Sequence, residues 1–129
     1  MPTFDDVRRL ALSLPETSEK SSWGHASWRV KDKGFVWERP LRKSDLEALG
    51  DTAPDGLILG VRVEHLGAKE ALLQSDPGVY FTTPHFDGYP AVLVQLEKIS
   101  EEELTEIVVE AWLNRAPPKL AKQYLDEAQ

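Results

Sequence analysis

Cysteine is absent from this chain of 129 residues. Disulfides, thiolate zinc centres and cysteine nucleophiles are therefore excluded, and the absence fits a reducing compartment. No apolar run approaches the roughly 18–20 residues needed to span a bilayer. The segment Met1-Pro2-Thr3-Phe4-Asp5-Asp6-Val7 has neither the basic nor the apolar region of a secretion signal. The expectation is a soluble cytoplasmic protein with no membrane partner. Catalytic signatures are lacking too: there is no G-x-S-x-G elbow, no P-loop and no H-E-x-x-H helix. The chain is accordingly read as a non-enzyme with no cofactor and no resident metal. The three histidines, His25, His65 and His85, are widely spaced. They would meet at a metal only if the fold brought them together with Asp87 or Glu64.

A chain of this length suits one domain, residues 1–129, and can bury roughly two thirds of the surface that its unfolded state exposes. Its formal net charge of −7 opposes indiscriminate attraction to phosphate. The charge is unevenly distributed. Between Lys20 and Lys43 stand Lys20, Arg29, Lys31, Lys33, Arg39, Arg42 and Lys43, opposed only by Asp32 and Glu38. Between Glu97 and Glu110 the pattern reverses, with six glutamates and one lysine. An acidic protein with one basic face is the expected result.

Periodicity places the elements. Thr3 caps a first helix whose apolar face is Phe4, Val7, Leu10, Ala11 and Leu14, and Pro15 ends it. Residues 16–21 read as a polar turn. Ser27–Lys31 and Phe35–Glu38 read as a hairpin about Asp32-Lys33-Gly34, with Trp28 and Val30 on one face and Arg29 and Lys31 on the other. Residues 39–56 read as an elaborated connection with a short helix at 44–49. Leu57–Val63 is a strand with Leu57, Leu59, Val61 and Val63 inward, and a helix follows over 64–75. Strands at 79–82 and 91–96 flank a turn-rich loop containing Pro84, Asp87, Gly88 and Pro90. Ser100 and Glu103 form a capping box for a long helix with a stripe of Leu104, Ile107, Val108, Ala111 and Trp112. Pro117-Pro118 ends it, and a short terminal helix covers 119–127.

Several segments in this order carry a family likeness. They are Trp23-Gly24-His25, Lys33-Gly34-Phe35, Gly78-Val79-Tyr80-Phe81, and the run from Ala111-Trp112 to Lys119-Leu120. The chain resembles the MmcQ/YjbR family of small bacterial proteins over nearly its whole length. The resemblance implies a CyaY-like α+β single domain, an antiparallel sheet with helices packed on one face. It also implies DNA binding through a double-wing element.

On that reading the phosphate contacts fall to Arg29, Lys31 and Lys33 on the hairpin and to Arg39, Arg42 and Lys43 after it. Cations on a two-stranded ribbon suit a nucleic-acid groove, although an exposed strand face carries such residues anyway, partly to block edge-to-edge association. Trp28 and Trp112 have core periodicity, whereas Trp23 and Trp37 are candidates for stacking on bases. The alternative is a protein- or small-ligand-binding module using the loop His85, Phe86, Asp87 and Tyr89. The expected oligomeric state is a monomer.

Overall fold

A computed structural model describes residues 2–22 and 24–127, apart from the side chain of Ser22. The first helix, α1 (Phe4–Leu12), begins as its sequence suggests: the Thr3 backbone N–H donates to Asp6 Oδ2 at 2.8 Å. Val7 and Ala11 on its inner face are fully buried.

Three strands follow, β1 (Thr17–Ser22), β2 (His25–Val30) and β3 (Lys33–Glu38). β1 replaces the expected polar turn. Its sequence, Thr-Ser-Glu-Lys-Ser-Ser, has no apolar alternation because the strand lies at the sheet edge, and its pairing with β2 supplies the order. Glu19 on this strand accepts hydrogen bonds from Trp28 Nε1 at 2.8 Å and Arg8 Nε at 2.6 Å, tying the edge to the core and to α1. The β2–β3 turn is Lys31-Asp32, one residue earlier than the glycine suggests. Lys31 (φ 50°) and Asp32 (φ 65°) both occupy the left-handed region, the requirement of a two-residue hairpin turn with the twist of its strands. Gly34 lies within β3. A bulge follows, since Trp28 opposes Val36 while Arg29 opposes Gly34, and both Phe35 and Val36 are buried.

The connection after β3 folds into α2 (Lys43–Leu49) and a 3₁₀ turn at Gly50–Thr52. Next come β4 (Ile58–Arg62), α3 (Leu66–Ser75), β5 (Tyr80–Phe81), a 3₁₀ turn at Pro84–Phe86 and β6 (Ala91–Gln95). The chain closes with α4 (Glu101–Arg115) and α5 (Pro118–Glu127). The six strands form one antiparallel sheet in the order β1-β2-β3-β4-β6-β5, an α+β architecture.

The main core lies between one sheet face and α1, α3, α4 and α5. Trp28, Leu59, Val61, Val92, Val94, Leu104, Val108 and Trp112 fill it, all without solvent exposure. Trp112 keeps its indole N–H satisfied on Pro15 O at 3.1 Å and meets the Tyr124 ring edge-on at 5.1 Å. The other sheet face has a smaller core of Ile58, Phe86, Ala91 and Leu93, with Trp37, Leu41 and Phe81 against it. The inward set expected for β4 changes accordingly. Residues 58–61 are all buried because both faces of this central strand are covered, whereas Leu57 is 40% exposed.

Candidate functional site

Alternation along β2 sends Ala26, Trp28 and Val30 into the helix-side core. His25, Ser27 and Arg29 therefore face the other way. Register places Trp37 of β3 opposite Ser27, and Lys20 of β1 opposite Ser27 on its other side. At β3 the small second core begins, and the chain turns back over it through Arg39, Pro40, Leu41 and Arg42. The result is an open cleft of about 470 Å³ bordered by His25, Ser27, Arg29, Trp37, Arg39 and Arg42, together with Glu38.

The cleft floor is built on buried, paired side chains. Arg39 is only 6% exposed. Its Nη2 pairs with Asp45 Oδ2 at 3.0 Å, its Nη1 donates to Pro40 O at 2.5 Å, and its guanidinium lies 5.2 Å from the centre of the Phe86 ring. Asp45 Oδ2 also accepts the Arg42 backbone N–H at 2.9 Å, which caps α2. Burial alone would raise the Asp45 carboxyl. The Arg42 N–H and the Arg39 guanidinium overcome it and hold the carboxyl below its ordinary value. The buried Thr83 hydroxyl lies beside Asp45 and assists, without the geometry of a hydrogen bond. Trp37 packs over Gly60, where a Cβ would collide with indole Cε2, Nε1 and Cζ2. Among the described residues that line the cleft, Glu38 is the one carboxylate. Its Oε1 accepts the Ala26 N–H at 3.1 Å and lies 3.8 Å from His25 Nδ1.

The six cations expected to meet phosphate divide into three groups. Arg29 and Arg42 open onto the cleft, with Arg29 Nε resting on Ser27 Oγ at 3.3 Å. Lys31 and Lys33 are exposed at the hairpin turn and Lys43 is exposed at the start of α2. Lys31 is paired with Glu16 at 2.6 Å, both side chains being about half exposed (51% and 50%), so the pair is a weak, exchangeable one. Arg39 departs from the expectation. It is buried against Asp45 and Phe86 and serves the cleft as a structural cation instead of a free surface charge.

The loop of the alternative reading is fastened down. Lys69 of α3, itself 6% exposed, donates to Phe86 O at 2.6 Å and Tyr89 O at 3.0 Å. Burial lowers its pKa, partly offset by Asp87. Phe86 is buried with His85 edge-on to its ring at 4.9 Å, and the Tyr89 hydroxyl accepts from Arg62 Nη1 at 2.8 Å. A cavity of about 310 Å³ lies between α3 and α4, and none of His85, Phe86, Asp87 or Tyr89 lines it. The histidines serve separate purposes. His65 Nδ1 accepts the Ala68 N–H at 3.0 Å and caps α3, while His25 faces Glu38 and His85 faces Phe86. Among the described residues no three histidine or carboxylate side chains are grouped to hold a metal. Trp23, the other candidate stacking residue, lies outside the described residues.

Three residues have signals that sequence reasoning passed over. His25 and Ser27 share the period-2 face of Arg29. Lys69 falls one residue after Ala68 and three before Leu72, both half-buried on α3. Asp45 had no signal beyond its place three residues after Arg42.

Residues 12–114 match the YjbR family. The chain belongs to that family. Its relatives include the uncharacterized proteins Rv2570 of Mycobacterium tuberculosis and Mb2600 of Mycobacterium bovis, each 53% identical over 128 residues and aligned over 97% of both chains. The fold is similar to the crystal structure of Deinococcus radiodurans protein DR2400, a DUF419 domain. The TM-score is 0.66 at 22% identity, over 88% of this chain and 78% of that one. Among the described residues of this YjbR-family chain, no helix is long and apolar enough to cross a membrane.

Proposed function

We propose that this YjbR-family protein binds DNA through the sheet face that carries the cleft, with Arg29, Lys31, Lys33, Arg42 and Lys43 contacting phosphates. The observation that carries the reading is the placing of Arg29 and Arg42 on the sheet face opposite the glutamates of α4. The long helix α4 turns its buried stripe to the sheet, so its exposed Glu101, Glu102, Glu106 and Glu110 lie on the helix side. Five of the six cations named above, all but Arg39, are on the hairpin and the opposite face, while α1 and α5 place Arg9, Lys119 and Lys122 on the helix side. A phosphate chain approaching that face meets local positive charge with the sheet and core between it and the acidic helix. In this reading the protein acts as a cytoplasmic monomer, without cofactor or catalytic step.

Fluorescence anisotropy with labelled single- and double-stranded DNA, at low and near-physiological salt, tests the proposal. The expected result is a Kd below about 10 μM at near-physiological salt, within the tighter part of the non-specific range. Lys31→Glu with Lys33→Glu weakens binding and flattens its salt dependence by about 0.9 for each phosphate that is no longer neutralised. No binding at low salt refutes the proposal.

A further inference from the structure

We propose that the cleft takes one unstacked nucleotide of a single strand, its base against Trp37 and its phosphate between Arg29 and Arg42. The inference rests on the DNA-binding reading and specifies the form of DNA. Three observations carry it. The first is shape. The surface between Arg29 and Arg42 is concave and, at about 470 Å³, within the size range of small-ligand pockets. A duplex presents a convex backbone to such a hollow, whereas a splayed nucleotide enters it.

The second is the aromatic floor. Trp37 is half-buried, lies over Gly60 and borders the cleft, so its ring is held in place before any ligand arrives. Bases stack on pre-placed aromatic rings with little dependence on sequence. The third is the charge arrangement. Arg39 is at least nine-tenths buried and locked by Asp45, Pro40 and Phe86, so the pair fixes the shape of the floor while Asp45 balances its charge. Arg29 and Arg42 stand at the rim with no carboxylate partner among the described residues. Ser27 adds a hydroxyl beside Arg29. Glu38, held by the Ala26 N–H, is positioned to repel a phosphate that enters the wrong way round.

The test is a titration of the unmutated protein, ¹⁵N-labelled, with an eight-nucleotide oligothymidylate, with thymidine 5′-monophosphate, with inorganic phosphate and with a blunt hairpin duplex. The indole N–H signal of Trp37 is assigned by its loss in Trp37→Phe. The expected result is a saturable shift of that signal with the oligothymidylate and the mononucleotide, and none with inorganic phosphate. In anisotropy, Trp37→Leu weakens single-strand binding about 5- to 100-fold and duplex binding by much less, while Trp37→Phe retains most of the affinity. A Trp37 signal unmoved by the oligothymidylate, with single strand and duplex bound equally, overturns this inference and leaves the DNA-binding reading standing. Absence of binding to either form of DNA overturns both. The spectral titration needs no substitution at the site, so a poorly folded Trp37→Leu protein does not blunt the test.

Discussion

Arg39 and Asp45 pair at 3.0 Å with side chains 7% and 2% exposed, joining the end of β3 to the start of α2 beneath the cleft. One carboxylate oxygen serves both the guanidinium and the Arg42 N–H. Removing it strands a buried cation and uncaps a short helix in the same step. Asp45→Ala is expected to lower unfolding free energy by about 3–5 kcal/mol, the cost of breaking a buried pair from one side. Chemical denaturation with an unchanged m-value checks it. Loss of less than about 1 kcal/mol, the scale of an exposed pair, would show that Arg39 finds solvent or another partner.

Asp45 and Glu19 also set an acid limit. Hydrogen bonding from Arg8 and Trp28 holds Glu19 low against desolvation, and Arg42 and Arg39 hold Asp45 low against its burial. Both folded values lie below the ordinary ones, 4.5 for glutamate and 3.8 for aspartate. Their contribution to stability is therefore fully present above those ordinary values and is lost as pH falls through the depressed folded ones. Unfolding free energy measured from about pH 6 to about pH 2 should fall on acidification, and Asp45→Asn should make the fall shallower. An equal slope in that variant would remove Asp45 from the account.

Gly60→Ala tests the seating of Trp37. A methyl group at this position would collide with the indole, so either Trp37 lifts or the β3–β4 pair shifts. The expected cost is about 1–3 kcal/mol, as for overpacking generally. A red shift in tryptophan emission would accompany it if the ring lifts into solvent. Wild-type stability and spectrum would mean that the ring does not depend on this glycine.

Lys69→Met removes the donor to the Phe86 and Tyr89 carbonyls and keeps most of the buried aliphatic stem. A loss of about 1–3 kcal/mol is expected from the stranded acceptors. Hydrogen exchange should quicken first between residues 84 and 91. Uniform exchange across the sheet would show that the lysine stabilises the whole fold and not this loop.

Much of this fold is legible in the sequence because the long elements carry strong periodic signals. The Leu104–Trp112 stripe and the Ser100 cap specify α4, and Trp28 and Val30 point to the core as their alternation requires. Where the signal is weak, the reading drifts. β1 has no apolar face, since an edge strand draws its order from its partner. The glycine in Lys33-Gly34 attracted the turn that Lys31 and Asp32 make at positive φ. Arg39 shows the limit most clearly. A run of cations reads as a surface, and nothing local distinguishes the one whose carboxylate partner is six residues on and whose ring partner is Phe86. The cleft itself depends on that return of chain over the second sheet face, a tertiary event that periodicity does not encode.

The salt dependence of DNA binding in two double variants distinguishes the cleft face from the helix side. Arg29→Ala with Arg42→Ala removes two charges at the cleft. Lys119→Ala with Lys122→Ala removes two exposed charges from α5 on the helix side. The first pair is expected to weaken binding and lower the slope of log K against log salt by about 0.7–0.9, for the one phosphate that the two arginines share, while the second leaves both unchanged. Equal effects from the two pairs, or none from the first, would contradict the assignment of the cleft face.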